Sequence, residues 1–140
     1  MAQIVGPGGK VICVDAQPKM LSVLRRRAAG ARFAERIETH LSDGNSIGLK
    51  GYDNRFDFAL AFAVMHEVED QARILGEIHE LLKDGAPLLL AEPRGHVSIS
   101  EFERTLALAL KAGFADTSHP EIRLSHAAIL AKAGEKAETR

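Results

Sequence analysis

Runs of consecutive apolar residues predict the buried strands of this chain. Residues 11–14 and 87–91 are wholly apolar, and residues 56–64 are apolar except for Asp57. Runs without polar alternation are typical of strands covered on both faces, as in a parallel sheet. Residues 37–41 alternate apolar and polar side chains and predict a more exposed strand. Glu92 closes the run at 87–91, which Pro93 then stops.

Between these runs, apolar residues recur at helical spacing and predict two helices. The first begins at Pro18, since proline suits the first helical position. The second begins near Asp70 and ends before Gly85, which is typical of a residue just beyond a helix. Each helix has one apolar stripe, formed in the first by Met20, Leu21, Leu24 and Ala28 and in the second by Ile74, Leu75, Ile78, Leu81 and Leu82.

A third helix is predicted through Leu106, Ala109 and Leu110, and Gly113 closes it. Its start has two possible capping boxes, in which a serine caps the helix and a glutamate three residues later bonds back to it. The candidate pairs are Ser98 with Glu101 and Ser100 with Glu103.

The end of the chain predicts two last strands, one at Ile122 and Leu124 and one at residues 127–131, which can form a hairpin. Residues 135–140 are polar and predict a tail. No linker composition divides residues 1–134, so we expect a single domain there. Strands that alternate with helices predict an α/β fold with a doubly wound, mostly parallel sheet, and the last strand pair predicts an antiparallel addition at one edge.

Composition and charge argue against some classes of binding partner and indicate a cellular compartment. The chain has 140 residues, 18 basic and 19 acidic, with a formal net charge of −1, so neither a nucleic acid nor an anionic membrane is expected to bind it. Cys13 is the only cysteine, which fits a reducing compartment. No apolar run reaches the ~20 residues that span a bilayer, and the first residues lack a signal-peptide pattern. We therefore expect a cytoplasmic protein.

Asp15 is the first candidate for chemistry, because it directly follows the apolar run at 11–14 and precedes the helix that starts at Pro18. Ligands of parallel α/β sheets bind at the carboxyl ends of the strands, and a carboxylate there can accept both hydroxyl hydrogens of a ribose. The position predicts a nucleoside-binding acid.

Four segments, taken in order, resemble class I S-adenosylmethionine-dependent methyltransferases. They are residues 8–21 around Asp15, Ser42-Asp43-Gly44, residues 56–67 from Phe56-Asp57 to His66-Glu67, and Leu82-Lys83-Asp84-Gly85 before Leu88-Leu89-Leu90. The resemblance covers almost the whole chain. It implies a Rossmann-like methyltransferase fold, S-adenosylmethionine as cofactor, and transfer of its methyl group to an acceptor that the sequence does not identify.

The resemblance assigns cofactor contacts to both ends of the adenosine. Asp15, with Ala16 beside it, corresponds to the acid that holds the cofactor ribose. Asp43 corresponds to the acid that contacts the adenine amino group, and Gly44 lets the backbone approach closely. For Asp43, a structural turn in which the side chain caps its own backbone is an equal alternative.

The resemblance also places residues on the methyl-transfer side. Ala61 and Phe62 correspond to the strand end that lines the methionine part of the cofactor, with core packing as the alternative for their side chains. His66 lies just past that strand end, where it can orient or deprotonate a nucleophile. No histidine occupies the fourth position after His66, so we expect no metal site.

One family motif is not found, namely a first strand followed by Gly-x-Gly. Gly6-Pro7-Gly8-Gly9 does not replace it, because that turn precedes a strand, whereas a cofactor-binding glycine loop follows one. We therefore expect an N-terminally truncated domain that binds the cofactor weakly or not at all. In the family the missing strand separates the strands at 11–15 and 56–64, so we expect their apolar edges to pair with each other or to cause self-association.

Two other functions remain open on the sequence. The chain can be a non-catalytic remnant or a structural partner that lacks cofactor binding, which the missing glycine motif favours. It can also be a nicotinamide-dependent oxidoreductase, since these enzymes use an acid at the end of their second strand as well. Asp43-Gly44 and the final strand pair favour the methyltransferase over the oxidoreductase.

Overall fold

The computed structural model describes residues 1–134, so the tail predicted at 135–140 lies outside the described residues. The chain divides after Gly48 into two compact units, called here the first unit (residues 1–48) and the second unit (residues 49 onward). The single domain expected over residues 1–134 stays a prediction. The elements are β1 (Val11–Asp15), α1 (Pro18–Ala29), β2 (Ile37–Leu41), β3 (Ala59–Phe62), α2 (Gln71–Leu81), β4 (Pro87–Pro93), α3 (Ile99–Ala112), β5 (Phe114–Ser118) and β6 (Ser125–Lys132), with 3₁₀ turns at Ala34–Arg36 and Met65–Glu67.

The first unit is a β-α-β arrangement. β1 and β2 are parallel and pair in register from Val11 with Ile37 to Asp15 with Leu41. α1 connects them and has Pro18 in its first turn, as predicted. Since the two strands run in the same direction and end together, the residues that follow Asp15 and Leu41 leave the sheet at the same edge.

The second unit contains a four-stranded sheet in the order β3-β4-β6-β5. β3 and β4 are parallel, whereas β6 is antiparallel to both β4 and β5. This sheet and the β1–β2 pair confirm the mostly parallel α/β fold with an antiparallel addition. The core contains leucines from α2 and the sheet, with several side chains wholly buried: Leu75, Leu82, Leu88, Leu90 and Leu130.

The helix ends of the second unit match the sequence prediction. The Asp70 side chain accepts a hydrogen bond from the Arg73 backbone N–H and so caps α2. Of the two possible capping boxes for α3, the structure contains the one formed by Ser98 and Glu101. Gly113 ends α3 with φ of 111°, in the left-handed region that glycine enters without strain.

The strand predicted at residues 56–64 is shorter than expected. β3 covers Ala59–Phe62, and Phe56 forms an isolated parallel bridge with Leu82. Ala63 ends the strand because its φ of 55° is left-handed, which no extended strand can contain. Apolar composition does not show such a backbone turn.

The first of the two last strands was predicted in the wrong place. β5 follows α3 directly at Phe114–Ser118, whereas Ile122 and Leu124 lie in the connection to β6. Leu124 has a φ of 58°, a left-handed conformation that excludes it from a strand. The last two strands that the structure describes are still antiparallel, but the hairpin partner of β6 is β5 and not the predicted segment.

Strand pairing within residues 1–134 tests one of the two arrangements expected from the sequence. Among residues 1–134, β1 pairs with β2 and β3 pairs with β4, in separate sheets, so the expected direct pairing of the strands at 11–15 and 56–64 is wrong. β3 and its flanks expose alternate large apolar side chains, at Phe58, Leu60, Phe62 and Val64. Within the same residues, no helix combines the length and the apolar character needed to cross a membrane.

Candidate functional site

The carboxyl ends of β1 and β2 bring together four of the predicted cofactor residues. The backbone N–H of Ser42 donates to the carbonyl of Asp15 at 2.9 Å, which holds the two strand ends side by side. A Cβ placed on Gly44 would lie 3.8 Å from the Cβ of Ala16. Asp15, Ala16, Asp43 and Gly44 therefore form one surface of the first unit, called here the β1–β2 end.

Asp15 is oriented by the turn that leads into α1. Its Oδ1 accepts a hydrogen bond of 2.8 Å from the backbone N–H of Gln17, the residue that precedes Pro18 in the helix. This hydrogen bond fixes the orientation of the carboxylate and uses one of its two oxygens. A carboxylate has two oxygens and about four lone-pair directions, so the geometry permits Asp15 to accept further hydrogen bonds from a ligand.

Asp43 forms the structural turn that the sequence offers as its alternative role. Its Oδ1 accepts from the backbone N–H groups of Asn45 and Ser46, at 2.8 and 2.9 Å. Gly44, which lies between Asp43 and Asn45, has a φ of 86°, which few side chains tolerate. The turn explains both residue types structurally, and the contact of Asp43 with adenine stays a prediction.

The predicted residues of the second unit lie at the carboxyl end of β3. Ala61 is buried in the core, whereas the Phe62 side chain is exposed. The N–H of Ala63 donates to the Ala91 carbonyl at 2.8 Å, and the left-handed Ala63 then directs the chain into the 3₁₀ turn that carries His66. The alternative of core packing therefore applies to the side chain of Ala61.

Glu92, near the end of β4, is the residue that sequence reasoning missed as a partner of His66. Its side chain is 1% exposed and that of His66 is 27% exposed, with 2.5 Å between Glu92 Oε2 and His66 Nδ1. Glu92 Oε1 accepts from the Met65 backbone N–H at 2.7 Å. The sequence signal that could have shown this role is an acid at the end of an otherwise apolar run. A buried carboxylate needs hydrogen-bond partners, so such an acid indicates a partner nearby.

Two further side chains hold the turn of His66 in place. Gln71 Nε2 donates to the Met65 carbonyl at 2.8 Å, and the Thr105 hydroxyl donates to Gln71 Oε1 at 2.7 Å. The ring of His96 stacks on that of His66, with 6.1 Å between the centroids and 5° between the planes. The imidazole therefore has a defined orientation at the end of the sheet.

Metal and thiol chemistry find little support in this geometry. Across residues 1–134, no three or more histidine, cysteine, aspartate or glutamate side chains are grouped so that they could hold a metal ion. Burial raises the pKa of the Cys13 thiol above its usual value of 9.0, so the thiol stays protonated at neutral pH and is a poor nucleophile.

Comparison with known protein families decides what kind of domain this is. The family described as a methyltransferase domain matches residues 1–133. The chain belongs to this family. It is therefore a class I S-adenosylmethionine-dependent methyltransferase domain and not a nicotinamide-dependent oxidoreductase, and S-adenosylmethionine is the cofactor of the family.

Curated relatives of this methyltransferase domain include enzymes of quinone methylation. A demethylmenaquinone methyltransferase of Symbiobacterium thermophilum is 39% identical over 88 residues, which are 63% of this chain and 34% of the relative. The ubiquinone/menaquinone biosynthesis C-methyltransferase UbiE of Hahella chejuensis is 33% identical over 92 residues, 65% of this chain and 36% of the relative. The chain thus spans about a third of the length of these relatives.

Solved structures confirm the fold of the methyltransferase domain. A SAM-dependent methyltransferase from Aquifex aeolicus has a TM-score of 0.78 at 24% identity, over 93% of this chain and 72% of that chain. A SAM-dependent methyltransferase from Methanosarcina mazei has a TM-score of 0.72 at 19% identity, over 95% of this chain and 86% of that chain.

Proposed function

We propose that this methyltransferase domain binds S-adenosylmethionine at the β1–β2 end and serves methyl transfer to a ring carbon of a quinone precursor. The observation that carries the cofactor part is the grouping of Asp15, Ala16, Asp43 and Gly44 at adjoining strand ends. Class I family membership supports the choice of cofactor.

The chemistry of the β1–β2 end suits an adenosine. The carboxylate of Asp15 is held on the Gln17 N–H by Oδ1 alone, so it can accept ribose hydroxyls as charge-assisted hydrogen bonds. Gly44 has no side chain and lies next to Ala16, which leaves a flat approach for an adenine ring. Asp43 stands at the same turn and can accept from the adenine amino group.

The acceptor is proposed from the names of relatives, in which demethylmenaquinone and ubiquinone/menaquinone C-methylation recur. Carbon methylation of a hydroquinone ring replaces a ring hydrogen, so one proton must leave for each methyl group added. His66, at the end of β3, offers an imidazole that can take this proton. A carbon acceptor therefore gives His66 a role as the base that removes this proton. An acceptor that is already nucleophilic would need no such base.

Calorimetric titration of S-adenosylmethionine into the chain tests the cofactor part. We expect measurable binding, with a dissociation constant of about 100 µM or ~−5.5 kcal/mol, because the contacts proposed here, through Asp15, Asp43 and Gly44, all lie on the adenosine. Asp15→Ala should weaken binding by about 1–3 kcal/mol, since charge-assisted hydrogen bonds are lost.

Asp53→Ala is the matched control, since Asp53 is an exposed acid that is not part of the β1–β2 end, and its loss should leave affinity unchanged. Equal affinity of the Asp15→Ala variant and the native chain would remove Asp15 from the site. Absence of any heat at millimolar cofactor would instead indicate the non-catalytic remnant.

A further inference from the structure

The buried carboxylate of Glu92 pairs with the imidazole of His66, a contact that the family assignment does not explain. We propose that Glu92 is a positioning residue that keeps the proton of His66 on Nδ1, so that Nε2 is the atom that accepts the proton lost by the methyl acceptor. The inference rests on the proposed function for its chemical role, whereas the state of the imidazole can be tested without it.

The hydrogen bonds around Glu92 determine which ring nitrogen carries the proton. The backbone N–H of Met65 can only donate, so Oε1 of Glu92 accepts at 2.7 Å. The other oxygen, Oε2, lies 2.5 Å from Nδ1, and a carboxylate can only accept. The neutral imidazole must then carry its hydrogen on Nδ1, which leaves a lone pair on Nε2.

Burial of Glu92 strengthens its hydrogen bond to the imidazole. Glu92 is 1% exposed, so its hydrogen bonds are little weakened by water, while His66 keeps 27% of its side chain exposed. The nearest other acid is Glu67, whose Oε1 is 3.9 Å from Nε2, beyond hydrogen-bond distance. Nδ1 is therefore bonded to Glu92, which leaves Nε2 as the ring nitrogen for a methyl acceptor.

The proposed step balances with one proton. The bond between the methyl carbon and the cofactor sulfur breaks, and its electrons leave on sulfur as the neutral thioether of S-adenosylhomocysteine. A carbon–carbon bond to the acceptor forms with electrons of the acceptor ring. The proton that the acceptor gives up binds Nε2, and the carboxylate of Glu92 stabilises the imidazolium through Nδ1–H.

Nitrogen-15 NMR of the chain in which the histidines are labelled reads the tautomer directly. The His66 signals, assigned by their loss in His66→Gln, should show a protonated Nδ1 and an unprotonated Nε2 in the neutral form of the ring. In Glu92→Gln the amide oxygen should still accept from the Met65 N–H, so the amide NH₂ faces Nδ1. Since an NH₂ group can only donate, Nδ1 must accept and the ring proton should move to Nε2. Glu69→Gln, a change of an exposed acid three residues from His66, should leave the tautomer as in the native chain.

A methyl-transfer assay separates positioning from a structural role. With the reduced form of demethylmenaquinone as probe, His66→Gln and Glu92→Gln should each lower kcat about 100-fold, the scale of general-base catalysis. The double variant should be no slower than either single variant, and the KM for S-adenosylmethionine should not change. Glu69→Gln should keep the native rate. Thermal unfolding by circular dichroism identifies the variants that are folded.

The outcomes are decisive for different parts of the proposal. A proton on Nε2 in the native chain, or an unchanged tautomer in Glu92→Gln, would overturn the positioning role. The assignment of Nε2 as base is wrong if the tautomers are as expected and the chain binds the cofactor, yet no methyl group is transferred. It is also wrong if His66→Gln keeps the native kcat. Lack of cofactor binding would refute the proposed function and the base role with it, while the tautomer result would still decide the effect of Glu92 on His66.

Discussion

The Cβ position of Gly44 lies 3.8 Å from the Cβ of Ala16, at ordinary van der Waals distance. A methyl group therefore fits between the two strand ends, but it fills the surface on which a flat ligand would lie. The backbone conformation adds a separate cost, since φ at Gly44 is 86° and a side chain there is strained.

Gly44→Ala should consequently lose both stability and cofactor affinity. We expect a decrease of about 1–2 kcal/mol in the free energy of unfolding, the cost of a left-handed non-glycine residue, and about tenfold weaker binding of S-adenosylmethionine. Gly51→Ala is the control, with φ of 81° and no atom within 4 Å of the added Cβ. It should lose similar stability by urea unfolding but no affinity by calorimetry, and equal affinity losses in the two variants would contradict a ligand at Gly44.

The start of α3 depends on Ser98 rather than Ser100. The Ser98 hydroxyl accepts from the Glu101 N–H at 3.2 Å, and the Ser98 N–H donates to Glu101 Oε2 at 2.7 Å. Ser98→Ala should therefore lower the free energy of unfolding by about 1 kcal/mol, measured with urea, while Ser100→Ala should have a smaller effect. The reverse order would show that the other capping box forms in solution.

Glu101 adds a pH dependence to this cap. Hydrogen bonds from the Ser98 backbone N–H and from its side chain lower the pKa of Glu101 below its usual value of 4.5. A lowered carboxyl pKa stabilises the fold above the unfolded value, and this contribution is lost as the pH falls through the folded pKa. Glu101→Gln should therefore reduce the acid-dependent loss of stability below pH ~4.5.

His79 should produce a second pH dependence, at a higher pH. Burial, with the nearby charge of Lys132, lowers the pKa of His79 below its usual value of 6.5, against a backbone hydrogen bond with Gly113 and the charges of Asp84 and Glu80. Below that value the unfolded chain binds a proton that the folded chain does not, so stability falls as the pH decreases.

Urea unfolding at pH 7.5 and 5.5 measures this effect. The decrease in the free energy of unfolding between the two pH values should be smaller in His79→Gln than in the native chain. His119→Gln, which changes an exposed histidine that pairs with Asp116, should keep the native decrease. An unchanged decrease in His79→Gln would show that protonation of His79 does not limit stability.

The differences between prediction and structure have a common physical cause. Apolar runs and caps predicted β1, α1, α2 and α3 well, because local spacing and end residues determine them. The sequence did not show the left-handed turns at Ala63 and Leu124, since these non-glycine residues have no local signal for positive φ. Nor did it show the bond between His66 and Glu92, which are separated by 26 residues and meet only because β3 and β4 pair side by side.

The exposed apolar side chains of β3 should make the chain self-associate. Leu60 is 44% exposed, and among residues 1–134 its strand pairs with β4 alone, so its outer edge can pair with another chain. Sedimentation velocity should show association that increases with concentration and is reduced by Leu60→Lys. Leu110→Lys is the control, since Leu110 is 49% exposed but lies on a helix, and similar behaviour of both variants would exclude the strand edge.

The position of β6 has a consequence for how the protein is made. β6 is the last strand that the structure describes, yet it lies between β4 and β5 and separates them in the sheet. During synthesis on the ribosome, β4 and β5 emerge before β6, the strand that joins them in the sheet. The four-stranded sheet can therefore close only after Lys132 has left the exit tunnel. Until then the apolar side chains of β4 on the side of β6 are available to chaperones, so β6 determines when the four-stranded sheet is complete.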